Sequence, residues 1–458
     1  MIADLKPFPN CKPSRLPWVG EIPSHWEVIP NRAHLRRRKV LVGDRHADYQ
    51  LLSLTKQGVI VRDLSKQKGK FSSDMGTSQE VRAGDLVFCL FDVPETPRTV
   101  GLSRFDGMIT GAYTVFDCKD PIVGAFLERF YIAMDDRKLL SPLYSGLRNT
   151  IPVPVFLGTK TPLPPPDEQA LIVRFLDWAS VRLGKTIAAK RKVIGLLEEQ
   201  KQAIIHRAVT RGLDENVALK PSGIDWLGDV PEHWEVRRSK YVYQEVDRRS
   251  KDGTEQHLSM TQKFGLIPSD EITERRLMSN SYAGGKLCSK GDLVLNRLKA
   301  HLGVFALAPV DGVVSPDYTV LRGCDGIYGP YFEKLYRSPA CRRELFIRTK
   351  GIVEGFWRLY TDDFYDIRVP LPPLNEQEAI EAATKIKTSG IKASIEAMQK
   401  EIDLLREYQT RLTSDVVTGK LDVREMARSL PADVSEEAAE LAAGEAVAGD
   451  DELIEDEA

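Results

Sequence analysis

Two stretches of the chain carry mostly apolar residues at alternating intervals of four and three positions. They fall at Leu183, Ile187, Lys190, Ile194, Leu197, Lys201, Ile204 and Ala208 in the first stretch, and at Ile391, Ile395, Met398, Ile402, Leu405, Gln409, Leu412 and Val416 in the second, and thirteen of these sixteen are apolar. An average spacing of 3.5 residues is typical of a left-handed coiled coil. A single stripe of this kind more often packs on its own domain, but these two match each other at an offset of 208 residues. We therefore predict two long helices paired along this coiled-coil seam in the antiparallel sense, about 39 Å long between residues 183 and 208.

Both predicted helices begin after a proline-rich segment. Residues 163–169 read Leu-Pro-Pro-Pro-Asp-Glu-Gln, and residues 371–377 read Leu-Pro-Pro-Leu-Asn-Glu-Gln. Asp167 and Asn375 are suitable capping residues, and the glutamate that follows each one would lie near the positive end of the helix dipole. These signals predict helices over residues 168–209 and 376–418, each ended by a glycine.

The rest of the chain repeats at nearly the same offset. Residues 18–28, Trp-Val-Gly-Glu-Ile-Pro-Ser-His-Trp-Glu-Val, return at 226–236 as Trp-Leu-Gly-Asp-Val-Pro-Glu-His-Trp-Glu-Val. A repeat this long corresponds to a whole domain with its connector, so we predict a tandem duplication and not a solenoid. Two domains of roughly 150 residues with connectors also suit a chain of 458 residues.

Within each half the predicted elements are short strands and helices. Runs bounded by Gly-Asp and Pro predict strands at Asp85–Phe91 and Asp292–Asn296, and helical patterns follow at 125–134 and 331–345. The predicted fold class is α/β, of mixed α+β type, with two tandem domains separated by two long helices that pair as an antiparallel coiled coil with pseudo-twofold symmetry. The predicted boundaries are 1–165 for the first domain, 166–213 for the first helix, 214–372 for the second domain, 373–422 for the second helix and 423–458 for an acidic tail.

Composition and charge narrow the classes of function. No run approaches the roughly 18 apolar residues of a membrane span, and no signal peptide is recognisable, so we expect a cytoplasmic protein. The six cysteines are scattered without metal-ligand spacing, which predicts no metal site. The net charge of −2, with eleven acidic residues and no Lys or Arg at 431–458, leaves residues 1–430 with a formal charge of +9. This segregation favours an anionic partner for the body of the chain and a disordered tail.

Basic residues that could contact phosphates or bases fall into a few clusters. They follow the repeated tryptophan turns, follow the second Gly-Asp strand, or precede the proline-rich segments. The candidates are Arg36, Arg37, Arg38, Lys39, Arg148, Asn149, Arg237, Arg238, Arg297, Lys299, His301 and Arg358. The alternative for each is a solvated surface charge, which we expect for about half of them. The tryptophans stand in a turn shared by both halves, so we predict that they are packing anchors and not platforms for bases.

These motifs together resemble the specificity subunit of type I restriction-modification systems. The resemblance rests on the two tryptophan openings and on the alternation of domain and Pro-Pro-x-x-Glu-Gln helix, and it covers nearly all of residues 14–422. It implies two target-recognition domains, each reading one half of an asymmetric bipartite DNA sequence, with helices that set an unread spacer. It also implies partnership with two adenine-N6 methyltransferase subunits and two ATP-dependent translocase-nuclease subunits. The acidic tail has no counterpart in the family pattern.

Motifs for catalysis are not recognisable in the sequence. There is no Asn/Asp-Pro-Pro-Tyr/Phe tetrapeptide, no glycine-rich methyl-donor loop and no Walker-type phosphate loop. We therefore expect a non-catalytic subunit without a cofactor of its own, with S-adenosylmethionine, ATP and Mg²⁺ held by its partners. Two alternatives remain open, namely a catalytic nuclease or fused methylase and a DNA-free coiled-coil adaptor.

Overall fold

The chain forms two compact units, described by a computed structural model over residues 5–62, 75–261, 264–271, 282–351 and 357–431. The first unit comprises Met1–Lys190 together with Lys400–Ala458, and the second comprises Arg191–Gln399. Each unit therefore includes a part of both long helices, whereas the predicted boundaries set every helix apart from the domains.

The first unit contains twelve strands among its described residues. They are β1 (Cys11–Pro13), β2 (Glu21–Pro23), β3 (Glu27–Pro30), β4 (Leu35–Arg38), β5 (Leu52–Thr55), β6 (Gly58–Val61), β7 (Gln79–Val81), β8 (Leu86–Phe88), β9 (Val100–Leu102), β10 (Gly107–Ile109), β11 (Thr114–Cys118) and β12 (Lys160–Leu163). A four-stranded antiparallel sheet has the order β4, β11, β8 and β9. The other strands pair as β1 with β2, β3 with β12, β5 with β6, and β7 with β10.

The second unit repeats this topology strand for strand over its described residues. Its strands are β13 (Leu219–Pro221), β14 (Asp229–Pro231), β15 (Glu235–Arg238), β16 (Tyr243–Glu245), β17 (Leu258–Thr261), β18 (Gly265–Pro268), β19 (Lys286–Cys288), β20 (Leu293–Asn296), β21 (Phe305–Leu307), β22 (Gly312–Val314), β23 (Tyr318–Gly323) and β24 (Arg368–Leu371). The four-stranded sheet has the order β16, β23, β20 and β21, and the pairs are β13–β14, β15–β24, β17–β18 and β19–β22. The predicted duplication and the mixed α/β fold class are confirmed.

Short alternating or fully apolar runs explain where the strands lie. In β5, Leu52 and Leu54 are buried while Ser53 and Thr55 are half-buried, as a side-chain period of two requires. The three residues of β8 are all buried, which suits a strand inside the four-stranded sheet. The strand predicted at 85–91 is therefore found, although it is shorter.

Eight α-helices are present among the described residues. They are α1 (Pro121–Asp136), α2 (Val153–Gly158), α3 (Pro166–Arg211), α4 (Gly329–Arg337), α5 (Pro339–Ile347), α6 (Thr361–Tyr365), α7 (Leu374–Val417) and α8 (Arg424–Arg428). The helix predicted at 125–134 is α1, whose first turn is capped by the Asp120 side chain. The helix predicted at 331–345 is divided into α4 and α5, because Pro339 starts a new helix that Ser338 caps.

The long helices α3 and α7 begin two residues earlier than predicted. The carbonyl oxygen of Pro165 accepts from the backbone N–H groups of Glu168 at 2.9 Å and Gln169 at 3.0 Å, and the carbonyl of Pro373 does the same in α7. Pro165 and Pro373 therefore occupy the N-cap positions of α3 and α7. The prediction that Asp167 and Asn375 cap the helices is wrong, since both lie inside the first turn.

Glycines stop both long helices, as predicted. Gly212 and Gly419 have φ angles of +75°, a left-handed conformation in which a side chain is strained. A Cβ atom on Gly419 would also clash with the ring of Pro23. The glycine therefore lets the helix end press against the tryptophan turn of its own unit.

The acidic tail predicted to begin at residue 423 is wrong in its first residues, which are folded. Residues 424–428 form α8, and Val423, Ala427 and Leu430 are buried in the core of the first unit. These apolar residues are spaced three or four apart, so one face of a short helix can bury them together. The rest of the predicted tail, 432–458, lies outside the described residues.

In the first unit the two long helices run in opposite directions. Lys190 of α3 forms an ion pair with Glu401 of α7. Arg174, nearer the beginning of α3, donates to the carbonyl of Leu430, which lies beyond the end of α7. Ile172 and Phe175 of α3 share a core with Leu412 of α7. The antiparallel sense predicted for the helices thus holds within this unit.

Candidate nucleic-acid interface

The repeated motifs converge on one hydrogen-bonded arrangement at the start of each long helix. In the first unit, Trp26 Nε1 donates to Glu168 Oε1 at 2.7 Å, and His25 Nε2 lies 2.7 Å from Glu168 Oε2. The second unit repeats it, with Trp234 Nε1 donating to a Glu376 oxygen at 2.8 Å. Both indoles are fully buried. Trp26 and Trp234 are therefore packing anchors, as predicted, and they fix the helix against the strands that follow each turn.

Those strands present basic side chains in the first unit. Arg36 and Arg37 are exposed on β4, one strand after the tryptophan turn, and Lys39 follows them, also exposed. Arg36 and Arg37 line a hollow of about 240 Å³ together with Arg32, His34 and Lys119. An array of cations around a concave surface suits an anionic ligand such as a phosphate backbone. Sequence reasoning missed Arg32 and Lys119, because neither belongs to a run of basic residues.

Arg38 does a different job from its neighbours on β4. Its Nε donates to Asp85 Oδ2 at 2.8 Å, its Nη2 lies 3.4 Å from Asp117 Oδ1, and its side chain is only 17% exposed. Burial raises the pKa of Asp85, although the Arg38 guanidinium acts to lower it. Arg38 therefore ties β4 to Asp85, which directly precedes β8, and a contact of this side chain with DNA stays a prediction.

The second unit places its basic strand surface around a larger hollow. Arg237 and Arg238 of β15, Arg368 of β24 and Tyr241 line a hollow of about 550 Å³. Arg238 and Arg368 face each other in register across the two strands. Arg237 pairs with Glu235 at 2.6 Å, and Arg238 pairs with Asp366, so each cation has a local partner that a phosphate would have to displace. Arg368 was missed because it stands alone in the sequence.

A second basic site in this unit joins two segments that are distant in sequence. Arg297, just after β20, donates to the carbonyl of Asp317 at 2.8 Å, and Arg358 donates to Oδ1 of Asp317 at 2.9 Å. The backbone N–H of Leu359 also donates to the carbonyl of Arg297 at 3.0 Å. The structure therefore brings Arg297 and Arg358 together on Asp317, with Arg297 only 19% exposed, and their contact with DNA stays a prediction. Lys299 lies in the same loop, and the side chain of His301 lies outside the described residues.

The first unit has a corresponding loop site. Arg148 pairs with Asp92 at 2.6 Å, and its guanidinium lies 5.8 Å from the centre of the Phe91 ring. Asn149, beside it, is exposed and has a φ of +43°. In both units, then, the loop after the strand that follows Gly-Asp (β8 or β20) contacts the segment that precedes the proline-rich start of the long helix.

The ten leucine and isoleucine residues of the predicted coiled-coil seam avoid full exposure. Leu183, Ile187, Ile402 and Leu412 are buried, and the others, Ile194, Leu197, Ile204, Ile391, Ile395 and Leu405, are half-buried. Burial of this kind is what a seam needs, while the pairing along its whole length stays a prediction.

Two further findings bear on the chemistry of the chain. Over residues 5–62, 75–261, 264–271, 282–351 and 357–431, no group of three or more His, Cys, Asp or Glu side chains is arranged to hold a metal ion. Among the same residues, no helix combines the length and the apolar character that crossing a membrane would need.

The fold recurs in a solved structure of known class. A chain from a structure that describes complex assembly and conformational transition of the type I R-M system aligns over 87% of this chain and 99% of its own, with a TM-score of 0.56 and 14% identity. The HsdS subunit from Thermoanaerobacter tengcongensis aligns over 87% of this chain with a TM-score of 0.42 and 16% identity. The first likeness assigns the fold to that found in type I restriction-modification assemblies.

Curated relatives give a more particular description. The putative type I restriction enzyme MjaX specificity subunit of Methanocaldococcus jannaschii is 25% identical over 279 residues, which cover 58% of this chain and 60% of the relative. The type I restriction enzyme MjaVIII specificity subunit of the same organism is 26% identical over 289 residues, covering 59% and 64%. The chain thus spans about three fifths of the length of the curated relatives it matches, and no protein-family model matches it. The predicted resemblance to type I specificity subunits is confirmed.

Proposed function

We propose that this protein is the DNA-recognition subunit of a type I restriction-modification complex. Each unit would bind one half of an asymmetric bipartite target, and the two long helices would set the unread spacer between the halves. The observation that carries the proposal is the repetition of one twelve-strand topology with a basic hollow in each unit, beside β4 in the first unit and beside β15 and β24 in the second. Two equivalent scaffolds with different basic side chains suit two different half-sites.

The proposal assigns the chemistry to partner subunits. Two adenine-N6 methyltransferase subunits would bind S-adenosylmethionine, and two translocase-nuclease subunits would bind ATP and Mg²⁺. This chain would hold no cofactor, would catalyse no reaction and would act on DNA in the cytoplasm. The names of its relatives, which are specificity subunits, support this division of labour. The duplication supports the number of methyltransferase subunits, since two units of the same topology can each bind one of them.

The test separates recognition from catalysis and from a purely structural role. The purified chain, alone and with a methyltransferase subunit, is assayed for DNA retention and for transfer of labelled methyl groups. We expect DNA retention in both samples and methylation only with the partner. Methyl transfer or cleavage by the chain alone would establish an enzyme, and a lack of DNA binding in both samples would establish an adaptor.

Charge-removing variants test the two basic hollows. Replacing both Arg36 and Arg37 with alanine, or Arg237 with alanine, should lower the slope of log affinity against log salt by about one unit for each phosphate that the variant no longer neutralises. Arg411→Ala is a matched control, because Arg411 is an exposed arginine on α7 outside both hollows. An unchanged slope and unchanged sequence preference in both hollow variants would remove these surfaces from the DNA interface.

A further inference from the structure

A pocket opens beside the start of α7 in the second unit. Its volume is about 280 Å³, and its apolar wall is formed by Val217, Pro231, Ala379 and Ile380. The carboxylate of Glu376, which already accepts from Trp234, lies on its polar side. Arg211, Asp214 and His233 complete the charged or titratable lining. The pocket therefore combines a hydrophobic wall with a fixed carboxylate.

In the first unit, the chain fills the equivalent space with its own side chains. Phe8 is buried, with its ring centre 5.7 Å from that of His25 and 6.2 Å from that of Trp26. The guanidinium of Arg424 lies 4.9 Å from the centre of the Phe8 ring and 3.8 Å from Glu168 Oε2. An aromatic ring and a cation thus occupy the site next to the carboxylate, a combination favoured both by ring burial and by charge.

The duplication explains why the second unit lacks this pair. In the first unit two segments meet here, since Lys6 and Asp422 form an antiparallel bridge. In the second unit one connector, residues 212–218, takes the place of both. At the repeat offset of 208, Phe8 and Arg424 correspond to the same residue, Asn216, which is exposed. One residue cannot replace two side chains, and the pocket is the space that remains.

We propose that this pocket binds a segment of a partner protein that supplies one aromatic side chain and one arginine or lysine. Among the described residues, no Lys or Arg side chain forms an ion pair with Glu376, whose carboxylate is held by His233 and Trp234. A carboxylate at this position repels a phosphate and attracts a cation. The inference does not depend on a role in DNA recognition.

The two ends of the chain that lie outside the described residues offer no suitable occupant. Residues 432–458 contain no aromatic residue and no Lys or Arg, and the same is true of residues 1–4. The first unit already uses Phe8 and Arg424 for its own site, so a second copy would have to release the buried Phe8 ring to supply this pair. A different protein is therefore the proposed occupant, and residues 63–74, which include Lys70 and Phe71, are the alternative within the chain that the experiment excludes.

The indole N–H of Trp234 is a direct reporter for the experiment. The full chain is labelled with ¹⁵N-tryptophan, and its indole resonances are followed while acetyl-Phe-Gly-Arg-amide is added up to millimolar concentration. The residue spacing in this probe lets both side chains point the same way in an extended backbone. We expect a saturable shift of the Trp234 resonance and none at Trp26, whose site is filled. Acetyl-Phe-Gly-Glu-amide and acetyl-Ala-Gly-Arg-amide should each bind about tenfold more weakly.

Two substitutions on one helix locate the binding. Ala379→Phe fills the pocket and should abolish the shift, whereas Ala382→Phe, at an exposed position outside the pocket lining, should leave it unchanged. The titration of the unsubstituted chain stands even if the first variant misfolds. The proposal is overturned if the Trp234 resonance does not move, if Trp26 moves equally, or if a peptide of residues 63–74 produces the shift. It is also overturned if sedimentation shows self-association that Ala379→Phe abolishes, since the occupant would then be a second copy.

Discussion

Replacing Trp26 with phenylalanine should destabilise its unit more than the same change at Trp234 destabilises the other. Both indoles are fully buried, so the loss of ring volume costs a similar amount, about 1–2 kcal/mol, in each variant. This cost cancels when the two variants are compared. What differs is the carboxylate that loses its indole donor, because Glu168 is 6% exposed and Glu376 is 33% exposed.

The magnitude follows from that difference in exposure. A hydrogen bond to a charged group contributes about 1.5–3 kcal/mol, and losing it costs most where water cannot replace the donor. Water can reach Glu376 and compensate for about half of the loss. Arg424, 3.8 Å from Glu168, partly compensates in the first unit. Trp26→Phe should therefore lower the unfolding free energy of its unit by about 1 kcal/mol more than Trp234→Phe lowers that of the other unit.

Native-state hydrogen exchange measured by mass spectrometry is the suitable assay, because a chain of two units has no single well-defined unfolding midpoint. Peptides covering residues 166–180 and 374–388 report the opening free energy at each helix start. Trp226→Phe is the control for ring size, since the indole nitrogen of Trp226 is buried without a hydrogen-bond partner among the described residues. Equal losses in the two units, or a greater loss for Trp234→Phe, would refute the account of the tryptophan-glutamate pair.

Three further predictions concern the strands, the helices and the duplication. Arg38→Ala should lower the unfolding free energy of the first unit by about 3–5 kcal/mol, because it leaves the buried Asp85 without its cation. Since burial raises the pKa of Asp85, this loss should shrink as falling pH protonates that carboxyl, which hydrogen exchange of peptides covering β4 and β8 at several pH values can check. Deleting residues 190–196 and 398–404 removes one heptad from each helix and about 10 Å of length, so the unread spacer in the methylated DNA should shorten or DNA binding should fail; an unaltered spacer in a folded variant would count against a helix-set spacing. A fragment of residues 1–216 should form a homodimer that directs methylation of a palindromic site, and sedimentation showing only monomer at micromolar concentration would contradict this.

The periodic patterns predicted the architecture well, because they report packing that each segment must satisfy locally. The apolar spacing in α3 and α7 and the glycines after them identified both helices to within two residues at each end. The misplaced caps have a physical reason. Asp167 is a good capping residue by type, but the carbonyl of Pro165 accepts from the N–H groups of Glu168 and Gln169, so the helix begins before Asp167. A residue-type preference could not reveal that geometry.

The candidate interface was predictable only in part, because ion pairing depends on neighbours that are remote in sequence. Arg36, Arg37 and Arg38 are equivalent in the sequence, yet Asp85 and Asp117 withdraw Arg38 from the surface. Arg368 gave no sequence signal and joins the basic hollow only through pairing of β24 with β15. Arg297 and Arg358 lie in segments that are distant in sequence, and Asp317 binds both of them in the structure.

The discontinuity of the first unit has a consequence for biosynthesis. Its core includes Leu412, Val416 and Ala427, which emerge from the ribosome after the whole of residues 191–399. At roughly 5–20 residues per second, the amino-terminal part of the first unit waits about 10–40 s for those side chains. The second unit is contiguous in sequence and can complete its core during that interval. Because synthesis runs from the amino terminus, the unit whose synthesis begins first completes its core last.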